Sequence, residues 1–254
     1  MPTDVTKIRR EHVEAFIEDC LGRYRPTTAA TRYRDLQQLF RWLLEEGEIS
    51  DSPMARMRPP KPDDPSIPII PDADLKALIA VCNGRTFENR RDTAIIRAFL
   101  STGARLAELA NLQVTDVDLD YREIHVMGKG RKERRLPLGL KATKDLDRYM
   151  RARARHPRAD LPALWLGPKG RLTDSGIAQM VKRRSREARL ESPIHVHQFG
   201  HTFSHKWLSR GGGEHDLATI NGWSSLQMVG RYASSAADER ARAAHDRLGV
   251  GEEI

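Results

Sequence analysis

The chain has 254 residues, enough to bury a substantial core as one large domain or two unequal ones. Its 43 lysines and arginines against 35 aspartates and glutamates leave a formal charge of +8, an excess of cations that attracts a polyanion and releases its counterions, so DNA or RNA is the most economical partner. Only Cys20 and Cys82 occur, which gives no support to a disulfide framework or a thiolate metal site and fits a reducing cytoplasm, and no apolar run is long enough for a signal peptide or a bilayer span.

Residues 9–22 set Val13, Phe16, Ile17 and Leu21 on one helical face, and residues 28–46 repeat the pattern with Leu36, Leu39, Phe40, Leu43 and Leu44. Arg32, Arg34 and Arg41 occupy the opposite face of the second helix, either to meet phosphates or as an ordinary solvated face. The proline-dense segment RPPKPDDPSIPIIP excludes a regular helix or interior strand, so the expected organisation is a helical module over 1–58, a linker over 59–71 and a larger domain over 72–254.

In that domain, residues 74–82 and 91–100 read as helices, the second closed by Ser101-Thr102-Gly103, and Leu106–Leu109 begins the next. Alternation over Glu123–Met127, a turn at Gly128-Lys129-Gly130 and a return over Arg135–Leu138 predict a β-hairpin. Helices follow over 141–153, over 174–189 behind a Thr173 or Asp174 cap, and over 200–208, with an alanine-rich charged helix over 235–248. The fold class is mainly α with a small antiparallel β-sheet.

Cleaving a phosphodiester without a metal requires an aligned nucleophile, cations around the nonbridging oxygens and an acid for the departing 5′ oxygen. Arg105 follows a glycine turn and suits bidentate phosphate binding, with Glu108 as its support. Lys129 at the hairpin tip can reach a leaving oxygen, His197 and Trp223 offer ring nitrogens, and Tyr232 offers a hydroxyl for a phosphotyrosyl link. A zinc reading of His195, His197, His201 and His205 lacks an accompanying carboxylate or cysteine pattern, and GKGRK lacks the spacing of a nucleotide loop, so neither metal nor cofactor is expected.

Taken together, TGARLAEL at 102–109, MGKGRKERRLPL at 127–138, HQFGHTFSHKWL at 197–208 and GWSSLQMVGRY at 222–232 resemble the tyrosine recombinase or phage integrase family in both motif content and order. The resemblance implies that Arg105, Lys129, His197, Trp223 and Tyr232 are catalytic, that Glu108 and His201 support them, and that residues 1–58 are a shortened core-site DNA-binding module. It also implies double-stranded DNA as partner, assembly into a dimer or tetramer on DNA with or without a partner recombinase, and a C-terminal segment passed to a neighbouring subunit. Arg131, Lys132, Arg134, Lys182, Arg183 and Arg184 join Arg32, Arg34 and Arg41 as expected DNA contacts. One departure stands out: the family pattern His-x-x-Arg-His places its second arginine at position 200, which here is Gly200. Two functional classes follow, a recombinase acting through a 3′-phosphotyrosyl intermediate with impaired activity, and a catalytically inactive DNA-binding or accessory relative.

Overall fold

The structure, a computed structural model, describes residues 2, 4–61, 67–128, 133–223 and 225–249, the side chain of Arg231 excepted. The chain divides into two compact units, Met1–Ser66 and Ile67–Ile254.

In the first unit α1 (Arg10–Arg23) packs on α2 (Pro26–Glu45), which opens on Pro26, whose fixed φ suits a first helical position. The buried stripe is narrow: Val13 and Ile17 from α1, Tyr33, Phe40 and Leu43 from α2, and Met54 from the segment that follows. Leu21, Leu39 and Leu44, expected on the apolar faces, are exposed. Leu39 and Leu44 each lie one residue, about 100° of helix, outside the stripe that Phe40 and Leu43 define, and two helices alone cannot cover so wide an arc.

The second unit begins with α3 (Asp72–Val81), α4 (Phe87–Thr102) and α5 (Leu106–Ala110). A three-stranded antiparallel sheet, β1 (Val117–Asp118), β2 (Glu123–Met127) and β3 (Glu133–Pro137), follows in the order β1-β2-β3. Then come α6 (Leu140–Arg153), the short hairpin β4 (Leu166–Gly167) and β5 (Gly170–Arg171), α7 (Asp174–Glu187), α8 (His197–Ser209), α9 (Glu214–Asn221), α10 (Gln227–Ser235) and α11 (Ala237–Leu248). Thr86 caps α4 by accepting from the Asn89 N–H at 3.1 Å, and Thr173 caps α7 by accepting from the Gly176 N–H at 3.1 Å. At the other end of α4, Gly103 takes a left-handed φ of 62°, and a Cβ there would fall 2.5 Å from the Phe203 ring, so both conformation and space demand glycine.

The core of this unit is laid down by Ile95, Ile96 and Phe99 of α4, Ile124 and Leu136 of the sheet, Leu146 and Tyr149 of α6, Ile177 and Val181 of α7 and Phe199 of α8. Phe99 stacks on Phe199 at 5.4 Å and Tyr149 on Trp165 at 5.2 Å. Within the β2–β3 pair Ile124 faces Leu136 and Val126 faces Arg134, so Arg134 shares the inward face of the sheet while Arg135, opposite His125, turns outward. The C-terminal helix α11, expected to pass to a neighbour, lies against α8 and α10 of its own chain. Arg240 donates to the Ala233 carbonyl at 3.3 Å, and Glu239 lies 3.4 Å from His205.

A buried ion cluster ties α4 to α7. Asp92 is fully buried and receives Arg91 at 2.7 Å, Arg184 at 2.8 Å and Arg183 at 3.1 Å. Arg184 also reaches Glu187 and the Asn89 side chain, both at 2.8 Å, which commits its guanidinium to the interior. The expectation that Arg184 meets DNA is therefore corrected: it is a buried structural cation. Removing one partner of such a cluster leaves uncompensated buried charge, so Asp92→Ala should cost about 3–5 kcal/mol, read as a lowered denaturant midpoint; a loss below about 1 kcal/mol would show that water compensates the arginines.

Candidate active site

The turn after α4, the first two turns of α8, the end of α9 and Tyr232 in the middle of α10 converge on a cavity of about 200 Å³. Gly103 turns the chain so that Arg105 becomes the residue preceding α5. The Arg105 backbone N–H donates to one Glu108 oxygen at 2.8 Å and its Nη1 to the other at 2.9 Å. Its side chain remains 47% exposed, so Glu108 holds one edge of the guanidinium and leaves the rest toward the cavity.

Glu108 is also the reason that Arg134 is not a DNA contact. Arg134 donates to both Glu108 oxygens at 2.8 Å and through Nε to the Ile220 carbonyl at 2.9 Å, with its side chain 14% exposed. The sequence reading counted its charge; the strand register turns that charge inward. Burial alone would raise the Glu108 carboxyl, but the hydrogen bonds from Arg134 and from the Arg105 backbone, with the nearby guanidinium charge, hold it below the usual carboxylate range.

Tyr232 of α10 is 6% exposed, and its hydroxyl lies 2.7 Å from Nδ1 of His201. Trp223 stacks on the tyrosine ring at 5.2 Å with an interplanar angle of 11°. Among the described residues Trp223 is held by this ring stacking and by apolar packing, with no hydrogen bond from its indole nitrogen. His197 opens α8 and is exposed at the cavity, while Gly200 lies one turn further on with His201 beside it. Among the described residues a Cβ on Gly200 would come within 4 Å of the Gly103 carbonyl alone, at 3.5 Å, an ordinary contact, so the backbone there does not itself demand glycine.

The structure thus brings Arg105, His197, Gly200, His201, Trp223 and Tyr232 to one cavity. Lys129, Arg131 and Lys132 fall outside the described residues; the hairpin root at Met127 and Gly128 lines a neighbouring cavity with Arg105 and Trp223. Lys182 is exposed, and Arg183 is half-exposed with one contact to Asp92. On α2, Arg32 and Arg41 are exposed and pair with Asp35 at 3.7 Å and Glu45 at 3.0 Å, and Arg34 lies across its own helix toward the Ala30 carbonyl. Sequence reasoning missed Ser204 and Asn221, which line the cavity and are joined by a 3.2 Å hydrogen bond. The signal for Ser204 was its helical spacing from His197 and His201 on one face of α8.

Because the Glu108 carboxyl is lowered in the folded chain, its stabilisation is fully present above its unfolded pKa and is lost as pH falls through the folded one. Glu108→Gln should cost about 2–3 kcal/mol at neutral pH and flatten the loss of stability on acidification. Urea midpoints measured across the acid range test this; parallel profiles for the two proteins would refute it.

Residues 69–239 match the model of the phage integrase family. Tyrosine recombinase XerD of Listeria monocytogenes is 27% identical over 235 residues, 91% of this chain and 79% of that protein. Tyrosine recombinase XerC of Shewanella amazonensis is 32% identical over 200 residues, 78% of this chain and 67% of that protein. Among solved structures, XerH site-specific recombinase bound to a palindromic difH substrate superposes with a TM-score of 0.77 at 18% identity, covering 94% of this chain and 72% of that one. The Tn1549 transposon integrase in complex with a circular intermediate DNA gives 0.76 at 18% identity, covering 97% and 87%. These neighbours share the mainly α fold with a small antiparallel sheet. With the family match spanning well over half its length, the chain belongs to the phage integrase family, the tyrosine recombinases.

Proposed function

We propose that the protein cleaves and rejoins DNA strands through a 3′-phosphotyrosyl intermediate, at a rate limited by Gly200. The observation that carries this reading is the Tyr232 hydroxyl held 2.7 Å from His201 in the cavity that Arg105 lines. The Tyr232 oxygen bonds to phosphorus as its proton passes to the His201 nitrogen. The bond to the 5′ oxygen breaks, and that oxygen takes a proton, with Lys129 as donor by the family pattern. The 5′ hydroxyl of a second strand then reverses the step, so the phosphodiester bond energy is retained without ATP. Arg105 supplies charge-assisted donors to the nonbridging oxygens, and the first turn of α8 adds the positive end of a helix dipole. Neither replaces the second arginine of the family pattern.

A missing transition-state donor costs about 3 kcal/mol, around a hundredfold in rate. A suicide half-site should therefore give covalent adduct slowly with the natural chain, about a hundredfold faster with Gly200→Arg, and not at all with Tyr232→Phe. Adduct in Gly200→Arg but none in the natural chain would favour the second reading, a DNA-binding relative without cleavage, which Gly200 itself recommends. Rapid turnover by the natural chain would show that another cation occupies the role.

Assembly on paired half-sites is the corresponding proposal for α11. In the structure this helix covers its own unit, and exchange between subunits requires breaking the Glu239–His205 and Arg240–Glu214 pairs, of 3.4 Å each, both partly exposed and individually weak. Truncation after Ala236 should leave the domain folded while lowering cooperative occupancy of paired half-sites in gel shifts; undiminished cooperativity would reject exchange.

A further inference from the structure

The outer face of α6 carries a second concentration of positive charge that the active site does not use. Lys141, Lys144, Arg148, Arg151 and Arg155 follow one another at steps of three, four, three and four residues, and all are exposed. Arg155 lies just past the helix, where its N–H bonds to the Ala152 carbonyl at 3.1 Å and continues the helical path. Fourteen steps at the helical rise give a row about 21 Å long. At its far end Arg148, Arg151 and Arg155 line a cleft of about 730 Å³, with Arg85 before α4 and Arg90 in its first turns also on its wall.

The carboxylates present do not neutralise this face. Asp145, also on the cleft wall, is shared between Arg97 at 3.4 Å and Arg148 at 3.3 Å, and Asp147 takes Arg151 at 2.6 Å. Among the described residues Arg85, Arg90 and Arg155 have no carboxylate within ion-pair distance. Helix stability does not explain the row either. Cations at the C-terminal end of α6 complement its dipole, but Lys141 and Lys144 stand at the N-terminal end, where cations are disfavoured and no acidic residue occupies the first turn.

We infer that the α6 face and its cleft bind the phosphate backbone of a DNA duplex at a place separate from the cleavage site. The row is too long for a single phosphate or nucleotide, whereas a duplex presents one charge about every 1.7 Å of axis, so a linear polyanion offers several phosphates along its whole length. The row starts beside the last turn of α4, where the Gly139 N–H donates to Ser101 Oγ at 2.7 Å, and leads away from the cleavage site to the cleft, where Arg90 stands about 18 Å along α4 from the end of that helix. A duplex held here is a second segment, flanking or incoming, beside the one presented to Tyr232.

The test uses the full chain carrying Tyr232→Phe, so that no covalent adduct contributes and the outcome does not depend on cleavage. Binding of a labelled 30-base-pair duplex of arbitrary sequence is followed by anisotropy across a salt series, with and without Arg148→Ala, Arg151→Ala and Arg155→Ala together. Loss of three phosphate contacts should reduce the slope of log affinity against log salt by about 2.7, and adding Lys141→Ala and Lys144→Ala by about 1.8 more. These side chains are exposed, so thermal melting should be unchanged. An unaltered slope in the folded triple variant would overturn the inference. So would tight binding of a labelled nucleoside triphosphate that the same substitutions abolish while the duplex slope stays as it was, because the cleft would then hold a discrete anion.

Discussion

The Glu108 carboxylate is the anchor on which the rest of the site depends. It accepts from the Arg105 backbone and side chain and from both terminal nitrogens of Arg134, all between 2.8 and 2.9 Å. Arg134 in turn bonds the Ile220 carbonyl, two residues ahead of Gly222. One buried charge thus joins Arg105, the residue preceding α5, to β3 and to the end of α9, which leads into Trp223. Its desolvation is offset because every strong contact is charge-assisted or comes from the backbone. A Cβ on Gly222 would stand 3.1 Å from Arg134, so the close chain approach at this corner also favours glycine, as does its φ of 62°.

Tyr232, the proposed nucleophile, is positioned by different means. Tyr232 belongs to a small apolar cluster with Leu208, Leu217, Val229 and Ala236, and its ring lies flat against Trp223. Packing fixes the ring, and the His201 bond fixes the hydroxyl. The two halves of the proposed chemistry are therefore prepared unequally. The attacking group is held by a ring stack and a 2.7 Å hydrogen bond, while the phosphate clamp relies on Arg105 and on groups of weaker charge. Binding of a phosphodiester draws on many distributed cations, whereas stabilising the extra negative charge of the transition state needs donors at one place. Under the proposed chemistry, Gly200 bears on rate far more than on affinity.

Much of this was legible in the sequence, and the omissions share physical causes. Long amphipathic helices such as α4, α6 and α7 declare themselves by periodicity and caps, and the hairpin by alternation around its glycine turn. The helices α9 and α10, of eight and nine residues, are too short for periodicity to separate them from their motifs, and the two-residue strands β4 and β5 have no pattern of their own. Charge was the least legible property. Arg134 and Arg184 look like surface cations in a basic chain, yet strand register sends the first to Glu108 and helix phase sends the second to Asp92. Neither carboxylate is near its partner in a way that sequence spacing reveals.

That inward use of cations changes what the net charge of +8 means. Arg91, Arg134 and Arg184 are spent on buried carboxylates, and Arg153 donates to the carbonyls of Ala163 and Leu164, organising the loop behind α6. Each of these adds to the formal charge but little to the potential that a polyanion meets, because its field is neutralised or confined within the fold. What remains for nucleic acid is set by exposed groups that lack a committed partner, and their arrangement matters more than their number. Among the described residues Lys182 on α7 and Lys141 and Lys144 on α6, with Arg155 just beyond it, are examples. Under the proposed function, a chain that distributes its free cations this way grips DNA while leaving the chemistry to a few residues around Tyr232, so affinity and cleavage would respond to different substitutions.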